Sequence, residues 1–318
     1  MENAPFYDEL AEGPAGARAY WTTASDGVRI RVAVWPKTGA KGTVLLFPGR
    51  TEYAEKYGRA AGDLAARGYA MVAIDWRGQG LADRITDNPM TGHIDDFADY
   101  QKDVKAALAA ARALDLPEPF FLIGHSMGGC IGLRAVYDGL PVAAAAFSAP
   151  MWGIRINGFL RPVAWSLSWS GAMLGMGHLF TPGTKPDSYV LVEGFEDNKL
   201  TKDRDMFDYM VRQTQSVERF GLGGPSLKWL YEGLVETARL MQAPAPDLPC
   251  VTFLGADERI VDTNRVAARM DDWPKGRLDI IPKAEHEIMM EVPQTRARFF
   301  DGVAALFDAQ LSPAQAAM

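Results

Sequence analysis

Ser126 stands in Phe120-Phe-Leu-Ile-Gly-His-Ser-Met-Gly-Gly129, an apolar run that breaks into Gly124-His125-Ser126-Met127-Gly128 and then into a helical pattern near Cys130. A strand that turns this sharply into a helix forces strained backbone angles on the residue at the corner. Its neighbours must then lack side chains where strand and helix nearly touch, and Gly124 and Gly128 meet that demand. A serine hydroxyl is a poor nucleophile at neutral pH, so Ser126 needs a base within reach and a group that holds the base in the right tautomer. The chemistry indicated is attack on a carbonyl through a covalent acyl intermediate.

Four histidines compete for the role of base. His125 adjoins the serine, and inside the turn its side chain should point away from the pocket. His93, in a loop, and His178, in a later insert, read as packing or substrate lining. His286 remains, in Lys283-Ala-Glu-His-Glu287, between the last strand and the last helix, where an imidazole can swing over Ser126. Asp257, reached from the strand Cys250 to Leu254 through Gly255-Ala256, is the natural orienting acid. Glu258 is adjacent to it, and Asp262 reads as the cap of a helix from Thr263 to Met270. The oxyanion formed by attack needs preorganised donors. The backbone N–H of Met127 is one, and the N–H of Arg50, after Pro48-Gly49, is the other. The Arg50 side chain reads equally as a binder of substrate phosphate or carboxylate and as a partner of Glu52.

These residues need a scaffold of strands that deliver them to one edge. Ala17 to Ala24 and Val28 to Trp35 read as a hairpin, with Val28, Ile30, Val32 and Val34 buried and Arg29 and Arg31 on a wet face. Thr43 to Phe47 and Tyr69 to Ile74 are apolar throughout, as parallel strands covered on both faces are. The helical segment Tyr53 to Arg67 lies between them, so a right-handed crossover is expected. A long helix from about Asp95 to Leu114 precedes the Ser126 strand, and Val142 to Phe147 follows its helix. From Met151 to Pro249 the alternation stops. That stretch carries tryptophans and glycines, a polar tract and an amphipathic segment around Ser226 to Met241, without a convincing strand series. Cys250 to Leu254 and Leu278 to Ile281 resume the strands, and Pro293 to Leu311 ends the chain as a helix. The expected fold class is α/β, a mostly parallel sheet with helices on both faces. Residues 1–150 and 250–318 form its core, and 151–249 form a helical cap over the edge where such sheets bind ligands.

The chain has 318 residues, 48% of them hydrophobic, and a net charge of -7, which argues against nucleic acid as a partner. Cys130 and Cys250 lie in apolar runs and read as packed thiols. The acidic N-terminus lacks a secretory signal pattern, so the expected location is cytoplasmic, with contact at the inner membrane surface left open. Pro162 to Thr184 is long and uncharged, but its glycines, serines and Pro182 argue against a membrane span. No metal motif is present, no Gly-rich loop suits a dinucleotide, and no cofactor is expected. The oligomeric state is not legible.

Gly124-His-Ser-Met-Gly128, Pro48-Gly-Arg-Thr-Glu52, Asp75-Trp-Arg-Gly-Gln-Gly80 and Gly92-His93 together resemble the bacterial lysophospholipase L2 and monoacylglycerol lipase branch of the α/β-hydrolases. The likeness covers nearly the whole chain. The lipases of that branch usually have His-Gly where this chain has Pro48-Gly49, which tilts the resemblance toward the lysophospholipases. The insert matches least, apart from Gly223-Gly-Pro-Ser226. The resemblance implies a Ser126, Asp257, His286 triad, oxyanion amides at Arg50 and Met127, and a small-molecule or lipid ester as substrate. A small-molecule carboxylesterase, an acyltransferase, or a non-catalytic ligand-binding homologue are the other readings on the same fold. Within the insert, Trp152, Trp165, Trp169 and His178 are candidate substrate contacts, in an apolar stretch suited to an acyl chain or a lipid surface.

Overall fold

The computed structural model describes residues 1–313. Strand β1 (Glu2–Ala4) and helix α1 (Asp8–Ala11) precede the hairpin of β2 (Arg18–Thr23) and β3 (Arg29–Trp35). There follow β4 (Thr43–Phe47), α2 (Gly58–Ala66), β5 (Ala70–Asp75), α3 (Tyr100–Ala113), β6 (Phe120–His125), α4 (Met127–Tyr137) and β7 (Ala145–Ser148). Helices α5 (Arg161–Met173), α6 (Tyr189–Val192), α7 (Arg204–Ser216) and α8 (Leu227–Gln242) come next, and then β8 (Cys250–Gly255), α9 (Thr263–Asp271), β9 (Gly276–Ile281) and α10 (Pro293–Asp308).

The strands join in one sheet of order β1-β2-β3-β5-β4-β6-β7-β8-β9, antiparallel from β1 to β5 and parallel from β5 to β9. This is the α/β-hydrolase arrangement, a mostly parallel sheet covered by helices on both faces. Alternation along each strand splits its side chains between two cores. Leu45, Val72 and Leu122 face one layer, and Val44, Met71, Ala73, Phe121 and Ile123 face the other. Strands β4 to β8 are therefore buried at every position. Parallel register then matters for function: Phe47 pairs Gly124, and His125 pairs Ser148, so the loops after β4, β6 and β8 leave from one edge of the sheet.

Arg31 departs from the wet face expected of it. It is fully buried. Its register partner across the β3/β5 ladder is Asp75, whose Oδ2 accepts from Nε at 2.8 Å, while Nη1 donates to Glu55 Oε1 at 2.8 Å. A charge at such a position survives burial only because both carboxylates neutralise it. Asp75 also accepts from the amides of Ala54 and Leu81, at 2.7 and 2.8 Å, which makes the Asp75 to Gly80 segment a structural turn. The segment between β7 and β8 is helical, with only isolated bridges outside its helices. Its longest helix, α8, starts where Ser226 Oγ accepts from the Trp229 amide at 3.0 Å. No helix among the described residues is long and apolar enough to cross a membrane.

Candidate active site

Ser126 has φ 49° and ψ −119°, a region that side-chain-bearing residues seldom enter. Hydrogen bonds hold it there: its amide donates to Ser148 O at 3.1 Å, and its carbonyl accepts from Gly129 and Met151, at 2.9 and 2.8 Å. The flanking glycines are required by distance. A Cβ at Gly128 would lie 2.0 Å from Phe47 O, and one at Gly124 would lie 2.9 Å from Gly128 O. Close packing of α4 on the end of β4 thereby brings the Met127 amide toward the loop that carries Arg50. Neither amide has an acceptor among the described residues.

That loop is pinned from several sides. Gln79 Nε2 donates to the carbonyls of Gly49 and Glu52, at 2.8 and 3.0 Å, and Trp76 Nε1 donates to Pro48 O at 2.9 Å. The Asp75 to Gly80 turn is thus what fixes the loop that carries the Arg50 amide. Glu52 closes the loop from inside by accepting from the Gly49 amide and from the Tyr57 hydroxyl.

His286 Nδ1 lies 2.7 Å from Glu258 Oε2. The second oxygen of Glu258 accepts from the amides of Ile260 and Val261, at 2.5 and 3.1 Å. Burial pushes this carboxyl up, but the imidazole and the two amides outweigh it, and its pKa falls below the usual carboxylate value. Asp257, expected as the orienting acid, is exposed and pairs with Lys202 Nζ. The reason is the turn after β8. Glu258 N–H returns to Gly255 O at 3.3 Å, which carries Asp257 over the outside and folds Glu258 back under His286. Asp262 caps α9 as expected, accepting from the Arg265 amide at 3.4 Å.

Beneath these residues lies a buried ionic cluster that composition and motif did not indicate. Lys56 Nζ bonds Glu52 Oε1 and Glu287 Oε1, both at 2.6 Å. His125 donates from Nδ1 to Ser148 O at 3.0 Å and turns Nε2 toward Glu287 Oε2 at 3.3 Å. Burial opposes charge on His125, yet Glu287 and Glu52 raise its pKa above the ordinary value. Glu287 is driven up by burial but held well below its ordinary value by Lys56 and His125. The ligand atoms of Glu52, His125 and Glu287 are close enough for a cation, and Lys56, bonded to both carboxylates, already supplies the charge. The cluster ties the Arg50 loop, through Glu52, to the residue after His286. Adjacency of Glu287 and His125 to the two candidate catalytic residues was the only signal available in sequence.

Ser126, His286 and Arg50 line one cavity of about 310 Å³, roofed by side chains that include Ile154, Val190, Leu200, Met210 and Leu230. The segment between β7 and β8 also holds the His286 loop, through the Glu287 amide bonded to Leu200 O at 2.7 Å. None of the four expected substrate contacts lines this cavity. Trp152 is fully buried in the core against Phe147 and Trp273, with Nε1 donating to Gly129 O at 3.1 Å. Trp165 packs edge-on against Tyr231, and Trp169 and His178 are exposed. An amphipathic helix shows its period in sequence but not which residues turn toward a ligand. Trp229 and Leu230, at the start of α8, are among the apolar residues of the insert that do reach the cavity.

Sheet order, a strained serine between two glycines and a histidine beyond the last strand define an α/β-hydrolase. The chain belongs to the family described as serine aminopeptidase, S33, whose sequence model matches residues 38–293. Among its relatives, lysophospholipase L2 of Escherichia coli strain K12 is 28% identical over 310 residues, covering 92% of this chain and 87% of that one. A probable lysophospholipase L2 of Haemophilus influenzae is 27% identical over 276 residues, covering 86% of each. A soluble variant of monoglyceride lipase from Saccharomyces cerevisiae, solved with a substrate analog, has the same fold: TM-score 0.72, 22% identity, 92% of this chain and 95% of that one.

Proposed function

We propose that this ester hydrolase cleaves the acyl ester of lysophospholipids or monoacylglycerols, with Ser126 as nucleophile, His286 as base and Glu258 as orienting acid. Ser126 Oγ attacks the ester carbonyl while His286 Nε2 takes its proton, and the amides of Arg50 and Met127 receive the oxyanion. Collapse expels the glycerol-bearing alcohol, which leaves with the proton from His286. Water, deprotonated by the same nitrogen, then releases the fatty acid and restores Ser126. Glu258 keeps the Nδ1 proton in place and faces the imidazolium that forms.

The observation that carries this reading is the bond of His286 Nδ1 to an enclosed, amide-held Glu258, made at the wall of the cavity that contains the strained Ser126. The mainly aliphatic roof supports an acyl chain rather than a polar substituent, and each methylene buried there contributes about 0.8 kcal/mol. Residues 151–249 act as the cap. Peripheral contact with membrane lipid fits its outer side, where Phe159 is 93% exposed, with Leu160, Val163, Trp169, Met173 and Leu174 also exposed. Hydrolysis of a lysophospholipid, a monoacylglycerol and p-nitrophenyl acetate by the purified protein tests the reading. Turnover of the long-chain esters should exceed that of the acetate, and activity on the acetate alone would refute it.

A further inference from the structure

The backbone amide of Arg50 has a place in the proposed attack; its side chain has none. The guanidinium lies half-buried in the wall of the cavity shared by Ser126 and His286. Its Nη1 donates to Gly223 O at 2.8 Å, and its Cζ stands 5.6 Å from the centroid of the Trp229 ring. Glu52 is two positions away but is turned to Lys56, Tyr57 and the Gly49 amide. No carboxylate pairs with Arg50 among the described residues, and its Nε and Nη2 have no acceptor there. Those nitrogens are not sealed in, unlike the enclosed Nε and Nη1 of Arg84. Burial lowers the guanidinium to about 10, so it stays charged at neutral pH.

Its surroundings are shaped to hold it. A Cβ at Gly92 would come within 2.7 Å of Arg50 Nη1. The Gly92 segment is laced to the Gly223-Gly-Pro-Ser226 stretch: Gly92 N–H to Gly224 O at 3.1 Å, Ser226 N–H to Gly92 O at 2.8 Å, and Gly223 N–H to Met90 O at 2.9 Å. Gly223 and Gly224 in turn sit so close to Pro186 and Thr184 that added Cβ atoms would stand 2.7 and 2.3 Å from them. Ser226 caps the helix that presents Trp229. The one stretch of the insert that resembles the family is thus the stretch that fixes Arg50.

A cation moved out of water without a counter-ion is costly, and a guanidinium with free N–H groups matches two oxygens of a phosphate. We propose that the Arg50 side chain forms an anion subsite that takes the phosphodiester of a lysophospholipid head group while Ser126 attacks the acyl ester. This rests on the ester-hydrolase reading and narrows it to phosphate-bearing substrates.

The test is kcat/KM for lysophosphatidylglycerol and for a monoacylglycerol of the same acyl chain, measured on wild type, Arg50→Gln and Arg50→Lys. The ratio of the two should fall about 10- to 100-fold in Arg50→Gln, the worth of hydrogen bonds to a charged group. Arg50→Lys, which keeps the charge and loses the fork, should lie between. sn-Glycerol 3-phosphate should inhibit wild-type monoacylglycerol turnover competitively and more strongly than inorganic phosphate, and this arm holds even where a variant fails to fold. Equal inhibition by inorganic phosphate would overturn the head-group assignment. An unchanged ratio in Arg50→Gln, with wild type active on both lipids, would overturn the subsite and leave ester hydrolysis standing. A wild type inactive on both lipids would sink the reading on which the subsite rests.

Discussion

His286 Nδ1 is bonded to Glu258 at 2.7 Å, while Asp257, its neighbour in sequence, faces solvent against Lys202. The two acids therefore have separable roles. Glu258→Gln keeps the shape but favours the wrong imidazole tautomer and should lower kcat by about 10⁴. Asp257→Asn should leave kcat within about twofold, because its pair is exposed and such pairs contribute little. The reverse ranking, with both variants folded by circular dichroism, would return the role to Asp257.

Why Asp257 looked right in sequence is a matter of turn geometry. Strand β8, the histidine beyond β9 and the elbow around Ser126 all follow from apolar runs, glycine spacing and element order, which are local signals. Which of the successive acids Asp257 and Glu258 folds inward depends on the turn after β8, where Glu258 N–H returns to Gly255 O and Asp257 N–H bonds Ala284 O beyond β9, contacts that no periodicity encodes. Arg31 escaped for a related reason: its partners Glu55 and Asp75 lie 24 and 44 residues away. Trp152 differs for another reason, since an apolar stretch announces burial or contact without saying against what, and this residue is core.

Lys56 holds two buried carboxylates, so Lys56→Met should leave Glu52 and Glu287 in like-charge contact and destabilise the fold by about 3–5 kcal/mol. Urea unfolding at pH 7 reads this directly. A variant within about 1 kcal/mol of wild type would mean that the cluster contributes only as well as an apolar filling would.

His125 and Glu287 give that cluster opposite pH limits. The pKa of His125 is raised above its ordinary 6.5, so its stabilisation is full below about that pH and is lost as pH climbs through the folded value. Glu287 is lowered below its ordinary 4.5, so its share is present above that pH and is lost as pH falls toward the folded value. The difference in Tm between wild type and His125→Gln should therefore be largest near pH 5.5 and narrow toward pH 9. A gap that widens with pH would contradict a charged His125.

Gly128→Ala places a Cβ 2.0 Å from the Phe47 carbonyl, which is backbone and cannot rotate aside. The start of α4 must move, and with it Ser126 and the Met127 amide. Displacement on this scale should cost on the order of 10² in kcat/KM. Full activity would mean that the elbow yields without disturbing the site.

The most direct measurement is the rate and position of labelling by a fluorophosphonate probe, followed by mass spectrometry of the digested protein. Expected is a single adduct on Ser126, absent in Ser126→Ala, slowed strongly in Glu258→Gln and unchanged in Asp257→Asn. An adduct on another residue, or labelling of Glu258→Gln at the wild-type rate, would contradict the assignment of Ser126, His286 and Glu258 as the catalytic unit.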